Sequence, residues 1–145
     1  MNHLIGSLEY FKARGEGKTP GPLQPAPRTT YDQTVQHLQN VTVATAEAWR
    51  RPGALDQTID TGARTMPGSA MVTIIASELL THGWDLAKAT GQQMPADEVD
   101  VDQVLERMKR SLEPEARQPG FGPEVQPLPG ARPIDRLAAF LGRTP

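Results

Sequence analysis

The sequence contains no cysteine. This absence excludes a disulfide framework, a zinc site built from thiolates and a cysteine nucleophile, so any thiol chemistry must arrive with a cofactor. The chain also lacks a charge imbalance, because 15 lysines and arginines stand against 17 aspartates and glutamates, for a formal net charge of −2. No basic run is present, so neither nucleic acid nor an anionic membrane surface is expected as a partner.

Long hydrophobic runs are missing as well. No apolar stretch approaches the roughly 18 residues that a membrane-spanning helix needs. The amino terminus lacks the charged segment, the apolar segment and the small-residue cleavage site of a secretory signal. Together these absences predict a cytoplasmic protein without a membrane segment.

Proline and glycine are plentiful, with 14 and 13 residues, and they lie mainly between segments of helical periodicity. A chain of 145 residues is long enough for one domain with a modest core, so we predict a single helical domain over residues 1–145. Two proline-rich stretches, residues 15–29 and 114–133, are predicted loops. A weak alternation around Leu55 and Ile59 suggests a short extended piece.

Five helical segments are predicted from apolar periodicity and local end signals. The first, residues 1–14, has no capping side chain and is expected to fray at its start. The second runs to Trp49 and opens with the capping box of Thr30 and Gln33. Its expected apolar stripe is Tyr31, Val35, Leu38, Thr42 and Trp49. The expected boundaries of the later helices are Ser69, Gly91, Asp97, Pro114, Ile134 and Gly142.

The central segment, residues 71–91, contains a polar pair where apolar side chains are expected. On a helical wheel of about 100° per residue, Glu78 and His82 fall inside the apolar arc. Residues at i and i+4 have Cβ atoms about 5–6 Å apart, so the carboxylate and the imidazole can share one ion. The alternative is a simple hydrogen-bonded pair, and a metal site needs a third ligand. The expected apolar arc holds Met71, Ile75, Leu79 and Leu86, and the expected solvent side holds Thr73, Ser77, Thr81 and Lys88.

Other catalytic classes find less support. His37 lies among polar residues at the margin of the second helix and is interpreted as a surface residue. Ser77 is expected on the solvent side away from His82, and no G-x-S-x-G motif is present, which argues against a serine hydrolase. A zincin protease is excluded because the sequence has no H-E-x-x-H motif.

Several motifs follow one another along nearly the whole chain. They are NHLIGSLEYF, AW-RRPGAL, MPG, ELLTHGWDLAKATGQ, GFGPEV and DRLAAFLGR. In these motifs the sequence resembles the DinB-like, mycothiol-dependent maleylpyruvate isomerase superfamily of actinobacteria, in particular its short metal-binding members. ELLTHGWDLA is the most specific motif. The resemblance implies an all-α, up-and-down DinB-like helical bundle.

The resemblance also implies a set of metal ligands. In the superfamily these are a histidine on one helix and a Glu-x-x-x-His on another, and they fall on His3, Glu78 and His82. Two histidines and one carboxylate with an open position suit a catalytic divalent cation, with zinc as the first expectation and nickel, iron or manganese as alternatives. Asp85 then either orients the His82 imidazole or pairs with Lys88.

A bound cation of this type deprotonates a coordinating thiol. The resemblance therefore implies a low-molecular-weight thiol, mycothiol, as a co-substrate that becomes a thiolate nucleophile and reacts with a second small molecule. Larger isomerases of the superfamily carry an additional C-terminal domain that helps hold the substrate, and in this sequence no such domain follows the bundle motifs. A mycothiol-linked transferase is for this reason a safer expectation than maleylpyruvate isomerisation.

The motif order implies that the first bundle helix is absent, because in the superfamily it precedes the NHL motif. An amino-terminally truncated bundle would expose an apolar groove. We expect either that the natural protein starts further upstream or that a second copy covers the groove in a homodimer.

Two functional hypotheses follow. The first is a divalent-metal-binding, thiol-dependent S-transferase- or isomerase-like enzyme. The second is a non-catalytic or degenerate helical interaction module, dimeric and without bound metal, in which Glu78 and His82 form a buried polar pair.

Overall fold

The computed structural model describes residues 1–62, 64–112, 117 and 121–145. The described residues form five helices and one two-stranded sheet, so the structure is mostly helical, and the sheet departs from the predicted all-α class. The chain divides into two compact units, Met1–Ile75 and Ala76–Pro145. Along the described residues, no helix combines the length and the apolar character that crossing a membrane requires.

The first unit is organised around a pair of helices, α1 (Asn2–Gly15) and α2 (Tyr31–Trp49). The Thr45 hydroxyl donates a hydrogen bond to the Leu8 carbonyl at 3.1 Å, and the Trp49 indole N–H donates to the Phe11 carbonyl at 3.0 Å. The predicted start of α2 is confirmed, since both hydrogen bonds of the capping box are present: the Gln33 amide donates to the Thr30 hydroxyl oxygen, and the Thr30 amide donates to the Gln33 side-chain oxygen. The first helix has no side-chain cap, as predicted.

The predicted stripe of α2 is confirmed at Trp49, which is buried, and at Val35, Leu38 and Thr42, which are half-buried, but not at Tyr31. Tyr31 is 72% exposed, and the buried residues are Thr34, Val41, Thr45, Ala48 and Trp49. The predicted stripe included Thr42 but left out the two buried threonines, Thr34 and Thr45. The Thr34 hydroxyl donates to the carbonyl four residues earlier at 2.9 Å, and the single Thr45 hydroxyl proton is shared between the Leu8 carbonyl and the carbonyl four residues earlier, which lies at 2.7 Å. Such bonds let a hydroxyl be buried.

The proline-rich stretch before α2 packs against the first turn of α1. The Asn2 carbonyl accepts a hydrogen bond from the Ala26 amide at 2.9 Å, and the Asn2 side-chain amide donates to the carbonyls of Ala26 and Pro27, both at 3.1 Å. Gly6 permits this approach, because a Cβ at that position would overlap the Gln24 carbonyl oxygen. The expected fraying of the first turn is thereby opposed by tertiary hydrogen bonds.

A small antiparallel hairpin joins α2 to α3. It consists of β1 (Thr58–Asp60) and β2 (Thr65–Pro67), with Ile59 paired to Met66 and buried. This confirms the predicted extended piece, although Leu55 lies before it and is exposed. The helix α3 (Gly68–Ala89) starts directly after β2, so Ser69 lies inside its first turn and the prediction that Ser69 caps it was wrong by two residues.

The second unit contains the end of α3, the helices α4 (Glu98–Ser111) and α5 (Pro133–Phe140), and the chain that follows. The predicted caps are confirmed: Asp97 accepts hydrogen bonds from the first turn of α4, and Gly91 and Gly142 have φ values of +68° and +89°. Pro114, the predicted stop of α4, lies outside the described residues. The core of this unit comprises Trp84, Val101, Leu105, Met108, Leu112, Ile134, Leu137, Ala138, Phe140 and Leu141.

Trp84 connects α3 to α5 within this core. The residue is 7% exposed, and its indole N–H donates to Asp135 Oδ1 at 2.7 Å. The Lys88 ammonium lies 5.2 Å from the ring centroid on the same helix, a cation–π distance. Trp84 thus fixes the rotation of the last turns of α3, on which the candidate site lies.

Candidate metal centre

Glu78 and His82 lie one turn apart on α3 and face each other. His82 Nε2 is 3.3 Å from Glu78 Oε2, and both side chains are half-buried, 29% and 20% exposed. The i, i+4 spacing in the sequence predicted this pair, and the structure confirms the contact.

The predicted solvent side of α3 is confirmed at Lys88, which is exposed, but was wrong at Ser77 and Thr81. Ser77 and Thr81 are buried, at 1% and 3% exposure, whereas Leu86, placed on the apolar arc, is 51% exposed. A wheel drawn from apolar side chains assumes one covered face, but α3 is at least half-buried around most of its circumference. Ser77 and Thr81 occupy two of its most covered positions. The location of Ser77 therefore no longer argues against a serine hydrolase, and only the missing nucleophile motif does.

Asp85 contacts the other ring nitrogen of His82. Its Oδ2 lies 3.2 Å from His82 Nδ1, which realises the orienting role that the sequence left open. Lys88, the alternative partner, lies over the Trp84 ring instead. The imidazole is thus held on both sides, by Glu78 at Nε2 and by Asp85 at Nδ1.

Arg143 holds Asp85 in turn, and sequence reasoning missed it. Its Nε and Nη2 donate to the two carboxylate oxygens at 3.4 and 3.3 Å, a two-pronged arrangement. Gly142, with its left-handed φ, turns the chain back after α5, and the Arg143 guanidinium also donates to the Leu141 carbonyl at 3.1 Å. Asp85 and Arg143 are 58 residues apart, so no local pattern could have indicated the pair.

The charges of this cluster favour an additional positive charge at His82. With a neutral imidazole, two carboxylates face one guanidinium, which leaves a formal charge of −1. The hydrogen bond with Glu78, followed by that with Asp85, raises the pKa of His82, although partial burial opposes the shift. A proton or a bound cation can supply the balancing charge.

His3 is the third sequence-predicted ligand, and it lies in the first turn of α1 on an exposed face. The hydrogen bonds between Asn2 and the proline-rich stretch hold this turn. His3 belongs to the first unit, whereas Glu78 and His82 belong to the second.

The third histidine of the chain, His37, is exposed, as predicted. Its Nε2 lies 2.9 Å from Glu9 Oε1, so it has an acidic neighbour that the sequence analysis did not foresee. This two-residue contact on the surface of α1 and α2 offers a natural comparison for the pair on α3.

Two proteins of Mycobacterium tuberculosis are similar to the chain over almost its whole length. They are "Uncharacterized protein MT0763" of strain CDC 1551 and "Uncharacterized protein Rv0738" of strain H37Rv. Each alignment is 148 residues long including gaps, is 35% identical, and covers 99% of this chain and 77% of the relative. The chain belongs to the family of these mycobacterial proteins. The names of both family members state no ligand and no reaction. No protein-family profile matches the chain, and no solved structure does.

Proposed function

We propose that the protein binds a divalent metal ion through His3, Glu78 and His82 and uses it to activate a low-molecular-weight thiol. Zinc is the first candidate for the ion, and nickel, iron and manganese are the alternatives that two imidazoles and a carboxylate also accept. The observation that carries the proposal is the contact between Glu78 Oε2 and His82 Nε2 at 3.3 Å, with Asp85 on the other ring nitrogen of His82. His3 is included as the ligand that the resemblance implies.

The ligand distances fit this role. Around a tetrahedral zinc ion with metal–ligand bonds of about 2.05 Å, neighbouring ligand atoms are about 3.3 Å apart. Glu78 Oε2 and His82 Nε2 are 3.3 Å apart, so two ligands already have the required separation.

The surroundings of His82 support the same role. A metal-binding histidine commonly donates its second ring N–H to a carboxylate, which fixes the tautomer and the ring orientation. Asp85 supplies that carboxylate at 3.2 Å from Nδ1, and Arg143 keeps it in place. A surface pair such as His37 and Glu9 has no such third and fourth member among the described residues.

The thiol part of the proposal rests on the resemblance to the DinB-like, mycothiol-dependent superfamily. A cation at this site would lower the pKa of a coordinated thiol, which makes it a thiolate near neutral pH. Three protein ligands leave a position open for that thiol. With no cysteine of its own, the chain would take the nucleophile from mycothiol and act as an S-transferase- or isomerase-like enzyme on a small-molecule substrate.

A second candidate function is a helical interaction module without a metal. It is supported by the raised pKa of His82, because a protonated imidazole between Glu78 and Asp85 is a satisfied ion pair that needs no metal. In this case the protein is a homodimer whose subunits cover an apolar groove, and the polar pair serves only packing.

Elemental analysis of untagged protein, purified without chelators, tests the metal proposal. We expect about one divalent ion per chain in the wild type and in His37→Ala, and much less in His3→Ala, Glu78→Ala and His82→Ala. His37→Ala is the matched control, because it also removes a histidine that contacts a glutamate.

The two candidates predict different results. A metal-free wild type that also fails to bind added zinc, nickel, iron and manganese would refute the metal proposal. The interaction module would lose its basis if sedimentation gave a folded monomer at low micromolar concentration. For the thiol step, cobalt-substituted protein should develop thiolate-to-cobalt absorption on addition of mycothiol, and no spectral change would argue against thiol activation.

A further inference from the structure

A cavity of about 450 Å³ lies in the first unit, at the end of α1 opposite His3. It is lined by the last residues of α1, the turn that follows, and the hairpin strand β1. Arg14 and His3 are eleven residues apart on α1, which corresponds to about 16 Å along the helix axis. The cavity is therefore separate from His3, and its size is that of ordinary small-molecule sites.

Arg14 is the unusual residue of this cavity. It is only 8% exposed, and arginine is rarely buried to this extent without an acidic partner. In the described part of the chain, its side chain donates to a neutral oxygen, the Tyr10 hydroxyl, from Nε at 3.2 Å and from Nη2 at 3.0 Å. No carboxylate lies at ion-pair distance within these same residues.

One edge of the Arg14 guanidinium is left for another acceptor. Nη1 has no hydrogen-bond partner among the described residues. The described polar atoms that are both fully buried and without a partner do not include it, so Nη1 keeps some exposure. Because Arg14 lines the cavity, we infer that Nη1 opens toward it. Tyr10 meanwhile holds the guanidinium in a fixed orientation, which favours a ligand that presents a planar or tetrahedral set of oxygens.

The rest of the lining agrees with an anionic ligand. Lys18 adds a second positive charge, and its present partner Glu16 forms an exposed pair at 2.6 Å that a ligand can displace. Asp60 also lines the cavity, but its Oδ1 accepts a hydrogen bond from the Gly62 amide at 2.8 Å and closes the hairpin turn. Arg14 and Lys18 carry positive charges and Asp60 a negative one, so the charged residues that line the cavity have a formal net charge of +1. Thr19 and Thr58 contribute hydroxyl donors.

The competing explanation is that Arg14 only complements the carbonyl end of α1. Cations in the last turn of a helix are favourable. However, the carbonyls there already accept hydrogen bonds from other groups: Arg14 from the Gln57 side chain at 3.1 Å, and Gly15 from the Arg51 side chain at 3.0 Å. The guanidinium of Arg14 is not needed to satisfy them.

We propose that this cavity binds an oxyanion, the carboxylate or phosphate group of a small molecule, with Arg14 and Lys18 supplying its positive charge. Isothermal titration of metal-free protein with inorganic phosphate and with malonate at low ionic strength tests this. One site of millimolar affinity for either anion is expected. Tighter binding of phosphate would assign a phosphate ligand, and tighter binding of malonate a carboxylate.

Variants connect the binding to the cavity. Arg14→Lys should weaken binding by about tenfold, because it keeps the charge but loses the fork, and Lys18→Ala should also weaken it. Arg28→Ala is the control, since Arg28 is an exposed arginine of the same unit that does not line the cavity. Lys18 is exposed, so its variant remains informative even if Arg14→Lys fails to fold.

Three results would overturn the proposal. The first is the absence of binding of both anions by folded wild-type protein. The second is binding that Lys18→Ala and a folded Arg14→Lys leave unchanged. The third is binding that appears only after zinc is added, because the anion would then be a ligand of the metal ion. Binding of equal strength in metal-free and zinc-loaded protein supports a separate site.

Discussion

Replacing Asp85 with asparagine should weaken metal binding while leaving the proposed ligands in place. The substitution preserves the size of the side chain and an oxygen that can still accept the His82 Nδ1–H. It removes the negative charge 3.2 Å from the ring and breaks the charge-assisted pair with Arg143. The change therefore tests the effect of the Asp85 charge on metal binding without removing a proposed ligand.

The size of the effect can be worked out from the geometry. An ion bound to Nε2 would lie about 7 Å from the Asp85 carboxylate, given the width of the imidazole and a metal–nitrogen bond of about 2 Å. A double positive charge and a single negative charge at that distance attract each other by about 1.2 kcal/mol in water, and more in a less polar environment. Because Asp85 is 37% exposed, the attraction is close to the value in water. Its loss corresponds to about a tenfold loss of metal affinity.

Competition with a chromophoric chelator measures this loss for zinc. The matched control is Asp102→Asn, since Asp102 also pairs with an arginine, Arg136 at 2.6 Å, and has no histidine contact among the described residues. We expect Asp85→Asn to bind zinc about tenfold more weakly than the wild type and Asp102→Asn to bind it normally. Equal affinities in all three proteins, or an equal loss in both variants, would refute the reasoning.

Two further predictions concern stability. Without metal, the free energy of unfolding should fall as pH rises from about 6.5 through the raised pKa of His82. Glu78 and Asp85 stabilise the protonated ring, and this stabilisation is complete below the pKa of the unfolded state and is lost as the ring deprotonates. Added zinc should reverse this trend, since the ion needs neutral histidine, and identical thermal melting profiles across pH with and without zinc would contradict it. Gly6→Ala should lower the free energy of unfolding, measured in urea, by about 1–3 kcal/mol, because the added Cβ meets the Gln24 backbone. The better helix propensity of alanine does not offset this clash. Gly21→Ala is the control and should not lower it, because a Cβ there meets nothing within 4 Å.

The parts of the fold that short-range chemistry decides could be predicted from the sequence. Thr30 and Asp97 cap their helices, and Gly91 and Gly142 take the left-handed conformation, because each of these roles depends on neighbours within a few residues. The contact between Glu78 and His82 belongs to the same class, since helical geometry alone brings residues four apart together.

Properties that depend on distant parts of the chain were not predicted. The burial of Ser77 and Thr81 depends on how much of α3 is covered, which the pattern of apolar side chains does not encode. Arg143 reaches Asp85 only because the chain turns after α5, and a charged residue near a chain end gives no local sign of such a partner. The short hairpin was suggested by alternation, but its register depends on pairing across the turn.

The two tryptophans of the sequence are divided between the two units, one in each. Trp49 is buried against α1 in the first unit, and Trp84 lies in the core of the second, two residues from His82. Each unit consequently carries its own fluorescent reporter. Paired single-tryptophan variants, Trp49→Phe and Trp84→Phe, would reveal by the coincidence or separation of their unfolding curves whether the units behave as one cooperative entity.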